Sequence, residues 1–277
     1  MSLRIAAAKS AMWAGVESAS LSLFSFIVLL VLAKLLTPAD FGVAAIAISM
    51  FSLLCAVGEL LFHDAIVRRK DLSERQIAAA HTATLLVGAG LTLIIVGAAM
   101  PLERLFAAPH LAGVLEGMSP SILLVAAGAV PVAVMRREFR YRSVALRMVS
   151  GRLAGGIAGI VCAFQGLGVW SLVVQQVATA LVALLTILAL DFSSVPPIAS
   201  PRHAVPLLRF GLVTLAVNLL AGGTVKVFLP VCGLILSTYN LGLVSLAEQS
   251  TPYSVLIQPT TEFLVRLPPR PWQEGPT

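Results

Sequence analysis

The segment Leu35–Ala47, LLTPADFGVAAIA, aligns without a gap on Ile235–Ala247, ILSTYNLGLVSLA, two hundred residues further along the chain. Leu36 and Leu236, Gly42 and Gly242, and Ala47 and Ala247 are identical, and most other pairs match in size and polarity. In each copy one apolar run ends, a tight polar turn follows, and another apolar run begins. A repeat of this kind predicts two lobes of like construction, with the first and seventh apolar runs equivalent.

The chain around the repeat is too apolar to be covered by water. Hydrophobic residues make up 58% of the 277 and charged residues 12%, with a mean hydropathy of +0.95. A soluble domain carries about 25% charged residues. Lipid must therefore be the main solvent. The net charge of +6 is spread thinly along the chain, which excludes a clustered nucleic-acid-binding face. Cys55, Cys162 and Cys232 stand singly in apolar runs and read as packing residues. The N-terminal stretch lacks the layout of a cleaved signal peptide.

A span needs about 20 mostly apolar residues to cross ~30 Å of hydrocarbon. Eight stretches qualify: Ala11–Leu36, Phe41–Ile66, Ile77–Met100, Leu111–Met135, Val144–Phe164, Val169–Leu190, Val205–Val225 and Val227–Ala247. The fold class expected is all-α and polytopic. A six-helix lobe occupies 1–192, and the Pro- and Ser-rich tract 193–203 is a cytoplasmic linker. The first two helices of a second lobe occupy 204–250, and 251–277 is an irregular tail that leaves this lobe incomplete.

Basic residues set the orientation. Arg68, Arg69, Lys70 and Arg75 follow the second span, and Arg136, Arg137, Arg140 and Arg142 follow the fourth. Arg4 and Lys9 fall on the same side, which makes the N-terminus cytoplasmic. A cysteine placed at Ser73 should then react with a membrane-impermeant thiol reagent only in opened cells. Labelling of intact cells would reverse the topology.

Four stretches, LAKLLTPADFGVAAIA (32–47), AIVRRKDLSERQ (65–76), VPVAVMRREFRYRSVALRMV (130–149) and GVWSLVVQQVATALV (168–182), carry a resemblance. With LLRFGL (207–212) they resemble, in order and spacing, the polysaccharide biosynthesis and export family of the multidrug/oligosaccharidyl-lipid/polysaccharide superfamily. The resemblance implies an exporter of two six-helix lobes around a central cavity. It would flip an undecaprenyl-diphosphate-linked oligosaccharide across the bacterial inner membrane for lipopolysaccharide or exopolysaccharide. It also implies membrane lipids and a polysaccharide polymerase or other export machinery as partners. Phe228 and Leu234 stand where the family has an acidic and a basic residue early in its eighth helix. The alternatives are a drug or small-molecule exporter of the same superfamily, or a truncated, inactive fragment.

No enzyme is expected. The chain shows no paired-carboxylate site, no metal-spaced His/Cys cluster and no phosphate-cradling glycine loop, so no cofactor or metal is predicted. The informative charges lie within the apolar runs. Only twelve residues, Leu153–Phe164, follow Arg152 in its span, so the fifth helix draws Arg147 and Arg152 toward the hydrocarbon. Arginine there costs roughly 2.5–3.5 kcal/mol on insertion scales. Arg147 reads first as reaching the headgroups. Arg152, five residues deeper, reads as facing a cavity, where guanidinium would suit a diphosphate.

Glu59 lies ~13 Å inside its helix end, as an ion-coupling carboxylate, a partner of Arg152, or one half of a structural ion pair. Glu17 fits the interface, with ion coupling as its functional reading. Gln175, Gln176 and Asn218 could meet sugar hydroxyls or bond between helices. The run Arg136–Arg142 reads as a topology anchor and anionic-lipid contact, with a first meeting place for the diphosphate as the functional reading. Gly151, Gly155 and Gly159 form a G-x-x-x-G stripe for close helix packing.

Overall fold

The computed structural model describes residues 22–69, 72–191 and 196–250, all helical apart from short connections. In chain order the helices are α1 (Ser22–Leu35), α2 (Pro38–Arg68), α3 (Glu74–Phe106), α4 (Leu111–Arg137), α5 (Tyr141–Phe164), α6 (Trp170–Asp191), α7 (Val205–Gly233) and α8 (Thr238–Ser250). A 3-10 turn, Pro201–Ala204, precedes α7. Five of them, α2 to α6, are long and apolar enough to cross a membrane. The protein is a multi-pass, all-α membrane protein. Glu17 and the expected tail 251–277 lie outside the described residues.

Local chemistry explains the helix starts. Thr37 caps α2 by accepting from the Asp40 backbone N–H at 3.3 Å, while Asp40 accepts from the Thr37 N–H at 3.0 Å. Pro38 takes the first helical position, where its missing donor costs nothing. Ser73 and Gln76 form the same reciprocal box at α3. The α2 end is tied down from α4, because Arg137 Nη1 donates to the carbonyls of Ile66 (2.8 Å) and Arg69 (2.7 Å). One residue of the arginine run thus serves as a helix C-cap as well as a charge near the membrane surface.

One sequence expectation needs correction. The seventh and eighth runs were divided near Lys226, where Gly222, Gly223 and Pro230 read as interruptions. The structure carries α7 without a break to Gly233 and turns at 234–237. Glycine and proline are tolerated inside a membrane helix whose neighbours satisfy its backbone. Phe228 and Leu234 therefore fall at the end of α7 and not early in α8. The turn stands where the repeat itself placed it: Ser237 accepts from the Asn240 N–H at 3.5 Å, as Thr37 does from Asp40.

The repeated segments also touch. The space a Cβ would need on Gly42 is filled by the Thr238 carbonyl, and that of Gly242 by the Pro38 carbonyl. Position 42 meets 238 and position 242 meets 38, so the contact is reciprocal, as across a two-fold axis. α2 and α8 therefore begin beside one another.

α2 and α4 form the centre. Two-thirds (67%) of the apolar window of each is buried inside the protein, against 17% for α3 and 28% for α5 and α6. α2 packs on α4, α7 and α8, and α4 on α3 and α6. α5 and α6 form a hairpin through Gly166 and Gly168, both at positive φ (77° and 54°), a conformation free of strain only for glycine. The apolar exteriors of α3, α5 and α6 face lipid.

Candidate functional site

Two clefts between these helices hold most of the sequence-predicted residues. The larger, about 320 Å³, is enclosed by α1, α2, α5 and α6, with Leu229 of α7 at its edge. Its polar lining is Ser25, Ser49, Arg152, Gln175, Gln176 and Thr179. Arg152 is the twelfth of the 24 residues of α5, so ~16–18 Å of helix extends to either side of it. That places a guanidinium at mid-span, beyond ordinary reach of the headgroups.

The glycines of α5 create this placement. Gly151, Gly155 and Gly159 press against Thr179, Ala183 and Gln175 of α6, leaving no room for a Cβ. Gly156 lies against Phe24 of α1, 2.7 Å from where its Cβ would be. Arg152 is one turn before Gly156 on the same helix face, and it lines the cavity as an exposed residue. In the α5–α6 seam, 3.1 Å from where a Cβ on Gly159 would be, the buried Gln175 Oε1 accepts no hydrogen bond from the protein. Buried side-chain oxygens are rarely left so. The Thr179 hydroxyl is turned to the Gln175 carbonyl at 2.7 Å.

The smaller cleft, about 100 Å³, lies between α2, α4 and α5, near the arginine-rich loops. Glu59, Leu60, His63, Ala129, Val132, Arg136 and Arg147 line it. Arg147 is half-buried, its Nε buried without a partner. Glu59 is close enough to attract its charge and Arg136 close enough to oppose it. Glu59 therefore keeps company with Arg147 and not with Arg152. Arg136 Nη1 lies 3.1 Å from His63 Nε2, and His63 Nδ1 lies 3.1 Å from Asp64 Oδ1.

Asn218 joins neither cleft. It is exposed on α7 and its amide donates to the Thr214 carbonyl at 2.9 Å. His63, Ser25, Ser49 and Thr179 were not singled out for a site from sequence. Glu59 and His63 are one turn apart on α2, and Gln175 and Thr179 one turn apart on α6. That i, i+4 spacing was the legible signal. Among the described residues, no group of three or more His, Cys, Asp or Glu could hold a metal ion.

Comparison with known proteins bears on what such clefts serve. Residues 31–265 match the polysaccharide biosynthesis protein family. The chain belongs to that family. Among curated family relatives, it is 27% identical over 185 residues to the succinoglycan biosynthesis transport protein ExoT of Rhizobium meliloti (strain 1021). The alignment covers 67% of this chain and 37% of the relative, so the chain spans well under half of that protein's length. No solved structure matches. The family match takes in the smaller cleft, both copies of the repeat, and the larger cleft apart from Phe24, Ser25, Val28 and Leu29.

Proposed function

We propose that this chain is the substrate-handling part of an exporter, not an enzyme, that moves a lipid-linked oligosaccharide across the bacterial inner membrane. The observation that carries the reading is Arg152 at mid-span, facing a cavity whose other polar groups are amides and hydroxyls. A charge at that depth is costly unless it meets a partner or water. Guanidinium suits the diphosphate of an undecaprenyl carrier. Gln175 and Gln176 offer amide donors and acceptors to sugar hydroxyls. The reciprocal α2–α8 contact supports the two-lobe arrangement, with residues 1–192 as one lobe and 204–250 as the start of the next. The arginine-rich loops support a cytoplasmic N-terminus. Family membership and the transport name of the relative support export as the role.

The test is Arg152→Gln at the chromosomal locus of the producing bacterium, scored by surface polysaccharide. Export is expected to fall at least tenfold, equivalent to about 1.4 kcal/mol of lost binding. Folded protein should remain at wild-type level, because an uncharged side chain at mid-span is easier to insert. Arg152→Lys should recover only part of the export, since ammonium lacks the planar fork that pairs with phosphate oxygens. Undiminished export in Arg152→Gln would remove the diphosphate role.

A further inference from the structure

The smaller cleft contains a chain of groups that export alone leaves unexplained. An arginine only donates, so Arg136 must donate to His63 Nε2. The imidazole proton then sits on Nδ1, where it donates to Asp64. Both bonds are 3.1 Å. In this arrangement the one acceptor of His63 is occupied by a cation.

The surrounding charges make this arrangement switchable. From α2 come Glu59 and Asp64, from α4 Arg136, and from α5 Arg147. The neighbouring Arg137 is turned away to the carbonyls that end α2. Among the described side chains, α3, α7 and α8 contribute no charged group to the lining. A proton on Nε2 adds one positive charge to the cluster and removes the acceptor for Arg136. Two donors then face each other, and Arg136 must turn elsewhere.

We propose that this cleft is a phosphate-binding site gated by protonation of His63. Deepening the export reading, it would receive the anionic phosphate group before the mid-span cavity does. Arg136, released from His63, and Arg147, whose Nε has no protein partner, supply the donors. The coupling is reciprocal: an anion that draws Arg136 away also frees Nε2 to take the proton, with Asp64 stabilising the imidazolium. Imidazole is the side chain suited to such a switch between pH 5 and 8. Anion binding therefore strengthens as pH falls.

The experiment uses the purified chain in phosphatidylcholine nanodiscs and farnesyl-diphospho-N-acetylglucosamine, a diester whose own charge is constant across this range. Binding should be roughly tenfold tighter at pH 5.5 than at pH 8, the scale of adding one nearby charge in a partly wet site. In His63→Gln the amide oxygen can accept from Arg136 at every pH, so binding should stay weak and pH-independent. Arg136→Gln should abolish the pH dependence with Arg147 still present.

Phosphatidylglycerol in the nanodiscs distinguishes the source of the phosphate. Competition with the probe at low pH would show that headgroups share the site, and absence of competition would assign the site to the carrier diphosphate. Equal wild-type affinity at both pH values would overturn the gate, as would a pH slope retained in folded His63→Gln. Arg152→Gln should keep the slope whatever it does to export, so the gate and the export reading fail separately.

Discussion

Replacing Gly42 by leucine is expected to eliminate most of the folded protein, and replacing Gly242 by leucine is expected to do the same. At both positions the first added carbon meets a backbone carbonyl, that of Thr238 for Gly42 and that of Pro38 for Gly242. A carbonyl at the first turn of a capped helix cannot rotate aside as a side chain can. α2 and α8 must separate instead, and overpacking of this kind typically costs 1–3 kcal/mol even for small additions. Alanine at either position should lower the thermal midpoint in detergent, and the two shifts should be equal within error because the contact is reciprocal. Gly97, exposed on α3 with nothing within 4 Å of its notional Cβ, is the matched control. Gly97→Leu adds an apolar side chain to a lipid-facing surface and should leave the midpoint unchanged. A silent Gly42→Leu would mean that α2 and α8 do not meet in the membrane.

This contact also shows how far the sequence could be read. The repeat was visible because caps and glycines are chemically constrained. Thr37 and Ser237 each must accept a first-turn N–H, and Gly42 and Gly242 each must lack a Cβ. The same logic located the turn at 236–237 better than hydropathy did. Hydropathy responded to Lys226 and the glycines of α7, which the continuous helix tolerates. Arg152 was legible because the apolar stretch behind it is too short to span, a constraint of length alone.

Its separation from Glu59 was not legible, because no local pattern records which helices become neighbours. Arg147 sits three residues after the first buried position of α5, Val144, on the face toward α4. That direction is fixed by the α5–α6 glycine seam and not by anything near Arg147 in sequence. His63 was missed because a histidine near a helix end usually needs no special account. Only the approach of Arg136 from α4 makes it chemically distinctive.

The seam that aims Arg152 yields the last expectation. In Gly155→Ala the new methyl group would run into Thr179 Oγ1 and lie 2.6 Å from the Gln175 carbonyl oxygen. The two obstacles differ in kind. Thr179 Oγ1 belongs to a side chain that can be truncated, whereas the Gln175 oxygen is fixed in the α6 backbone. Gly155→Ala alone should therefore lower the thermal midpoint and, by pushing α6 away from α5, reduce export through the cavity that Arg152 and Gln175 share. Thr179→Ala alone should be mild, because it removes only a hydroxyl that bonds back within its own helix. The double variant should recover part of the midpoint, with a coupling of about 0.5–3 kcal/mol, as contacting residues show. Full recovery is not expected while the carbonyl remains. Strict additivity of the two changes would show that α5 and α6 do not meet at Gly155, and the mid-span position of Arg152 over the cavity would lose its structural support.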